Sequence, residues 1–168
     1  MRTRAGMGMT FLSVLLLGTS SPGAEQARVR VDASTVGPRP LEEQTRSSVV
    51  RDYLEAWQTL GSALAANRTD LLDRSFVGLA SQELAATVEE QRKIGLQSVY
   101  RDLSHKIRLV FYSPEGMSIQ LVDDVEYEVQ VLQNGRLGGA ERVHSRYISV
   151  LTPTEVRWKV RILQAAPE

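Results

Sequence analysis

The chain has 168 residues, 42% hydrophobic and 24% charged, which suits one globular domain with a real core and excludes global disorder. Twenty basic residues balance twenty acidic ones, so no bulk charge draws the chain to nucleic acid or anionic lipid. There is no cysteine, which removes disulfides, thiolate metal sites, cysteine nucleophiles and an acyl-anchored N-terminus from consideration.

Residues 1–24 have the three parts of a signal peptide in order. Arg2 and Arg4 are the positive start, Met9 to Leu17 is a short apolar core, and Gly18 to Ala24 is a small-residue exit. The apolar run is too short for a bilayer span, which takes about 20 residues. Cleavage after Ala24 would leave eighteen basic against twenty acidic residues, a net charge of −2. The expected destination is the periplasm or the exterior, with no membrane span after cleavage.

Residues 25–41 are expected to be a flexible linker. Arg28-Val-Arg-Val-Asp32 alternates only briefly, and Gly37, Pro38 and Pro40 break regular structure. The folded domain is expected over 42–164, with 165–168 as a tail.

A first helix is predicted from about Glu42 to Ala66. Val49, Val50, Tyr53, Leu54, Trp57, Leu60, Gly61 and Leu64 recur at spacings of three and four and form one stripe. Asp70 is placed as the cap of a short helix over Leu71–Phe76, which Gly78 ends. Ser81 is placed as the cap of a third helix, carrying Leu84, Ala85, Val88 and Ile94 and stopping near Gly95.

Beyond about Val99 the period becomes two. Strand A, Leu103–Tyr112, sets Leu103, His105, Ile107, Leu109 and Phe111 on one face. Ser113-Pro-Glu-Gly116 is a turn. Strand B, Met117–Leu132, sets Met117, Ile119, Leu121, Val125, Tyr127, Val129 and Val131 on one face, interrupted by Asp123. Asn134-Gly135 and Gly138-Gly139 mark a reversal. Strand C, about Ala140–Leu151, alternates poorly, which suggests a bulge. Strand D sets Val156, Trp158, Val160 and Ile162 inward. Consecutive strands joined by short turns form an antiparallel meander, and helices before strands give the α+β class. The expected architecture is therefore N-terminal helices packed on a curved four-stranded antiparallel meander, a cystatin-like, cone-shaped fold.

His105 and Asp123 are polar intruders on apolar faces. If Ser113 and Met117 close the turn, Ile107 lies opposite Asp123 with His105 one diagonal away. If Tyr112 lies opposite Gly116, His105 faces Asp123 directly. A carboxylate that orients an imidazole can serve as a general-base pair, and it can equally be a buried structural hydrogen bond. The two histidines, His105 and His144, lie on different strands and faces, with no metal-ligand spacing, so no metal and no cofactor is expected. Acidic Asp124, Glu126 and Glu128 run between basic strands, which predicts cross-strand pairing on a solvated face. An anionic partner along strands C and D is the functional counterpart of that reading.

Tyr53-Leu-Glu-Ala-Trp57, the acidic Asp70, Phe76, Tyr112-Ser-Pro-Glu-Gly116 and Trp158-Lys159-Val160 resemble the nuclear transport factor 2-like superfamily over about residues 45–164. The particular echo is the intermembrane-space-like domain at the C-terminus of plastid and cyanobacterial division proteins. The resemblance implies a cone, a curved sheet wrapped over helices with a pocket at the open end. Some members hold an Asp or a His–Asp pair there, as steroid isomerases and dehydratases do; others bind proteins, and sheet-face dimers are common. Tyr53 and Trp57, one turn apart on the first helix, are expected as core against the sheet; the alternative is that they, with Tyr127, form a pocket wall for a small apolar ligand. The leading expectation is a non-enzymatic binding module of the cell envelope, acting on an envelope protein or a small apolar ligand through the cone mouth or sheet, with a homodimer through the sheet as a further expectation. The rival is a small isomerase, dehydratase or hydrolase using Asp123 and His105.

Overall fold

The computed structural model describes residues 26–166. The leader assigned to 1–24 lies outside them. The elements are β1 (Arg28–Asp32), α1 (Glu43–Ala66), a 3-10 helix (Thr69–Arg74), α2 (Gly78–Lys93), β2 (Leu96–Tyr112), β3 (Ile119–Gln133), β4 (Arg136–Pro153) and β5 (Trp158–Ala165). The α+β class and the helices-then-meander order are as the sequence predicts. The strand count is not: among the described residues the sheet has five strands in the order β1-β2-β3-β4-β5. The extra one is β1, which pairs parallel with β2 from Arg28–Ser104 to Asp32–Arg108. The expected linker is therefore tied down, and the chain after it is held as well, with Tyr112 N–H donating to Gly37 O at 2.7 Å. A five-residue alternation whose partner lies more than seventy residues away leaves no local signal to read.

The stripe of α1 buries Val49, Tyr53, Ala56, Trp57, Leu60, Ala63 and Leu64 against the sheet, at the predicted spacing. The helix ends on Asn67 in the left-handed region (φ 52°). Asn67 Nδ2 donates to Leu96 O at 2.8 Å, and buried Gln91 Nε2 donates to Leu64 O and to Asn67 Oδ1, each at 2.6 Å. These bonds join the ends of α1 and α2 to the start of β2. Two capping assignments are corrected. Asp70 lies inside the 3-10 helix and pairs with Arg68 Nε at 3.0 Å, and α2 opens at Gly78, so Ser81 lies within it rather than at its cap. Gly78 has φ +57°, a conformation a side chain would strain, which lets the chain enter α2 four residues early.

Extra residues in the strands set which side chains face the helices. Leu109 pairs with Leu121 and Phe111 with Gln120, leaving Val110 unmatched. The face then inverts: Tyr112 is buried and Phe111, expected inside, is 39% exposed. Val150 pairs with Ile162 and Leu151 with Val160, so Arg161 is the extra residue in β5. Val160 and Leu163 consequently face the core and Ile162 does not; Val156, also expected inside, stands in the turn before β5 at 83% exposure. The bulge expected in strand C does not explain its alternation. Val143, Ser145, Tyr147, Ser149 and Leu151 form one unbroken row across from β3, and the extra residue of β4 is Gly138, near its start. The pattern is blurred by two serines on the inner row and by Ile148 and Val150 on the outer one.

The carboxylate of Asp52, buried on α1, accepts the Trp158 backbone N–H at 2.8 Å and Arg51 Nε at 3.0 Å. It ties the first helix to the last strand. Asp52→Ala removes a charged acceptor and strands a backbone donor, so a loss of about 2 kcal/mol is expected in urea unfolding, with Asp52→Asn losing less. An unchanged midpoint for Asp52→Ala would show that the tie contributes nothing.

Candidate functional site

His105 and Asp123 meet on the helix-facing side of the β2–β3 hairpin. Ile107 stands opposite Asp123 and His105 opposite Val125, so the pair is diagonal, the first of the two registers considered. The Val110 bulge shifts the turn itself, which Ser113 N–H closes onto Ser118 O at 2.9 Å. His105 Nδ1 and Asp123 Oδ2 are 2.6 Å apart, and the side chains are 1% and 0% exposed.

The structure adds three residues to the pair. Tyr53, from α1, donates its hydroxyl to the same Asp123 Oδ2 at 3.1 Å. Asp102 Oδ2 lies 3.8 Å from His105 Nε2, an ion-pair distance beyond hydrogen bonding. It reaches that side because the extra residue Leu103 sets Asp102 opposite Tyr127 on the inner row. Ser149, on the inner row of β4, lies toward the Tyr53 hydroxyl, as does Trp57. Ser149 was readable from parity alone. Asp102 was not, because the bulge that turns it inward carries no sequence mark.

The electrostatics follow from this enclosure. Burial disfavours a charged imidazole, but the Asp102 and Asp123 carboxylates more than offset it, and the pKa of His105 is raised from 6.5 to about 9. At neutral pH the ring is an imidazolium held between two carboxylates. Tyr53 is pushed well above the usual phenol range, by burial first and by the Asp123 charge second. Trp57 Nε1, His105 Nε2, Asp123 Oδ1 and Ser149 Oγ are buried without a hydrogen-bond partner among the described residues.

The candidate wall residues Tyr53, Trp57 and Tyr127 come together around this pair, but they line no open space. Trp57 packs on His105 with centroids 5.6 Å apart, on Tyr127 at 6.1 Å and edge-on against Tyr147 at 5.1 Å. The space bounded by Tyr53, Trp57, Phe76 and Val160 leaves no room for a water molecule. A substrate would have to displace Trp57 or Tyr127 to touch His105.

The other side of the sheet is open. Across it run the rows Arg30–Lys106–Asp124–Arg146 and Arg28–Ser104–Glu126–His144. Asp124 pairs with Arg146 at 2.6 Å, Glu128 with Arg101 at 2.8 Å, and Glu126 with both Arg142 and His144. This is the cross-strand pairing the charge pattern predicts. A shallow groove of about 760 Å³ lies over these rows. The basic row expected along strands C and D is not continuous, because Arg157 turns back to Glu55 on α1 at 3.1 Å and Lys159 Nζ donates to Asp73 O at 2.6 Å. His144 stands on this outer face and His105 on the inner one, so no geometry joins the two histidines. No described helix is long and apolar enough to cross a membrane.

No protein-family model matches the chain, and no curated protein matches it in sequence. Solved structures do. The intermembrane space region of the chloroplast protein ARC6 superposes with a TM-score of 0.61 at 12% identity, covering 77% of this chain and all of that one. A candidate scytalone dehydratase from Novosphingobium aromaticivorans superposes at 0.50 and 11% identity, covering 75% of this chain and 89% of that one. An NTF-2 like protein of unknown function from Shewanella oneidensis also matches, too loosely at 0.41 to bear on the argument. At these identities the likeness is one of fold: helices packed on an antiparallel sheet, as in the ARC6 region.

Proposed function

We propose that this chain is an exported binding module of the bacterial cell envelope whose working surface is the outside of its sheet. One observation carries the reading: the cone's interior is full. Of the residues that would line a pocket, Tyr53 and Trp57 pack on His105 and Tyr127 packs on Trp57, and the space that Tyr53 and Trp57 bound with Phe76 and Val160 leaves no room for water. An imidazole held as imidazolium is also a poor general base, since with a pKa of about 9 only about 1% is neutral at pH 7. The open, charged outer face is then the surface left for a partner. Export rests on the leader-like residues 1–24. The ARC6 region comes from an intermembrane space, which fits an envelope role.

The rival reading, a small pocket enzyme of isomerase, dehydratase or hydrolase type, draws on the Tyr53–Asp123–His105 chain of contacts and would need Trp57 and Tyr127 to part. One experiment separates the two. Tagged protein is used to draw partners from envelope extract, and its melting temperature is followed against a panel of small apolar ligands. A partner retained by wild type and lost on outer-face charge reversal is the expected result. No partner, together with a melting temperature that rises with an apolar ligand, would replace the module with the enzyme. N-terminal sequencing of protein from the producing cell should begin near Glu25; an intact Met1 in cytosolic material would end the export claim.

A further inference from the structure

The two edges of the sheet are finished differently. Beside β5, Val77 N–H donates to Val160 O at 3.0 Å and Val160 N–H to Ser75 O at 2.9 Å, so the segment at Phe76 blocks that edge at Val160. β1 is the other edge. All five of its residues are exposed, and among the described residues no backbone bond joins Arg28–Val31 to any segment except β2. A bare row of N–H and C=O groups is a template for another strand.

The side chains on that edge select the guest. Arg28 and Arg30 stand level with Ser104 and Lys106 on the outer face. Val29 and Val31 project to the other side, level with His105 and Ile107, and are 40% and 38% exposed. Arg142 and Arg146, further into the sheet, are matched by Glu126 and Asp124. Among the described residues, Arg28, Arg30 and Lys106 form no ion pair. Arg28 acts on Glu126 without an ion-pair contact and Asp32 is the one acid of β1, so this side of the outer face keeps an excess of positive charge at Arg30 and Lys106, along an edge open to backbone pairing.

We propose that the free edge of β1 takes an extended segment of a partner protein as a sixth strand, its acidic residues beside Arg28, Arg30 and Lys106 and its intervening apolar residues over Val29 and Val31. The inference rests on the binding-module reading and names its ligand. Backbone bonds supply attraction without sequence preference, and the alternation of charge and apolar surface supplies the register. A second copy of this chain is the poorer guest. Antiparallel self-pairing centred on Arg30 sets Arg30 against Arg30, and five residues a side fall well below the roughly 1,200 Å² that a stable interface buries.

The probe is a blocked nonapeptide of alternating Glu and Val, titrated into ¹⁵N-labelled protein. The control keeps every Glu and replaces each Val by Pro, so the charge is unchanged while strand pairing is lost. The alternating peptide should shift the amides of 28–32 and 104–108 and bind about tenfold more tightly than the control. Arg28→Glu/Arg30→Glu should lower that affinity by about tenfold at an unchanged melting temperature, since both side chains are exposed. Equal binding of the two peptides would reduce the site to charge attraction and overturn the proposal. Shifts centred on another surface, or a peptide-free dimer broken by Arg30→Glu, would do the same. In envelope pull-downs, a partner held equally by wild type and the double variant would sink the strand-addition site and leave the module reading standing. With no partner for either and a ligand-raised melting temperature, the module reading itself fails.

Discussion

Asp123→Asn should cost about 3–5 kcal/mol of stability at pH 6 and much less at pH 9.5, because it removes the counter-ion of a buried imidazolium. Asp123 and His105 are both closed to solvent and 2.6 Å apart. The folded pKa of His105, about 9, lies above its unfolded value near 6.5. A raised pKa means that the folded state holds the proton more tightly. The contribution is therefore complete below pH 6.5 and is lost as the pH rises through about 9. For wild type that window corresponds to about 3 kcal/mol, on top of whatever the other groups contribute. Urea unfolding of wild type and variant at half-unit steps between pH 6 and pH 10 measures both effects. A wild-type curve flat across the window would mean that the ring is neutral in the fold. A variant as stable as wild type at pH 6 would deny the pair its structural role and return it to the enzyme reading.

Trp57→Ala is expected to cost about 3–5 kcal/mol, the usual range for a large aromatic side chain removed from a core. The indole touches His105, Tyr127 and Tyr147, so its loss opens a void at the centre of the aromatic cluster. Trp57→Phe should cost under about 2 kcal/mol. It gives up volume, but it also removes a buried indole N–H that has no hydrogen-bond partner among the described residues. The comparison of the two variants in urea is the measurement. If Phe costs as much as Ala, the indole N–H makes a bond that its surroundings do not disclose. If Ala costs little, the cluster is loose enough to open for a ligand, and the case for a filled cone weakens with it.

Strand periodicity carried the site further than it carried the edges. The parity that grouped His105 with Ile107 and Leu109, and Asp123 with Leu121 and Val125, holds because no extra residue interrupts β2 between Ser104 and Leu109 or β3 between Leu121 and Val125. Beyond Val110 it fails, and Phe111 and Tyr112 exchange places. Arg161 does the same to Ile162 and Leu163. A single inserted residue reverses every following side chain, and neither Val110 nor Arg161 differs in type from its neighbours. The helix stripe suffered no such failure, since one displaced residue rotates a helix by only about 100° and leaves the stripe recognisable. β1 was missed for another reason. Its partner strand lies across the whole helical segment, and five alternating residues beside Gly and Pro look the same whether they pair or not. The Tyr53–Asp123 bond was hidden likewise, because it depends on how α1 lies over the sheet.

The tie between Asp52 and Trp158 bears on when the chain can fold. It spans 106 residues, and the side chains that cover Tyr53 and Trp57 include Val160 and Leu163 from the same final strand. Contacts at such separations form only after a large loop has closed, so topologies built on them fold slowly. During synthesis the apolar stripe of α1 emerges about a hundred residues before the strand that completes its cover. The last part of the core is therefore completed only when synthesis is nearly over. Until β5 is available one flank of the α1 stripe stays uncovered, so the core closes last at its C-terminal edge.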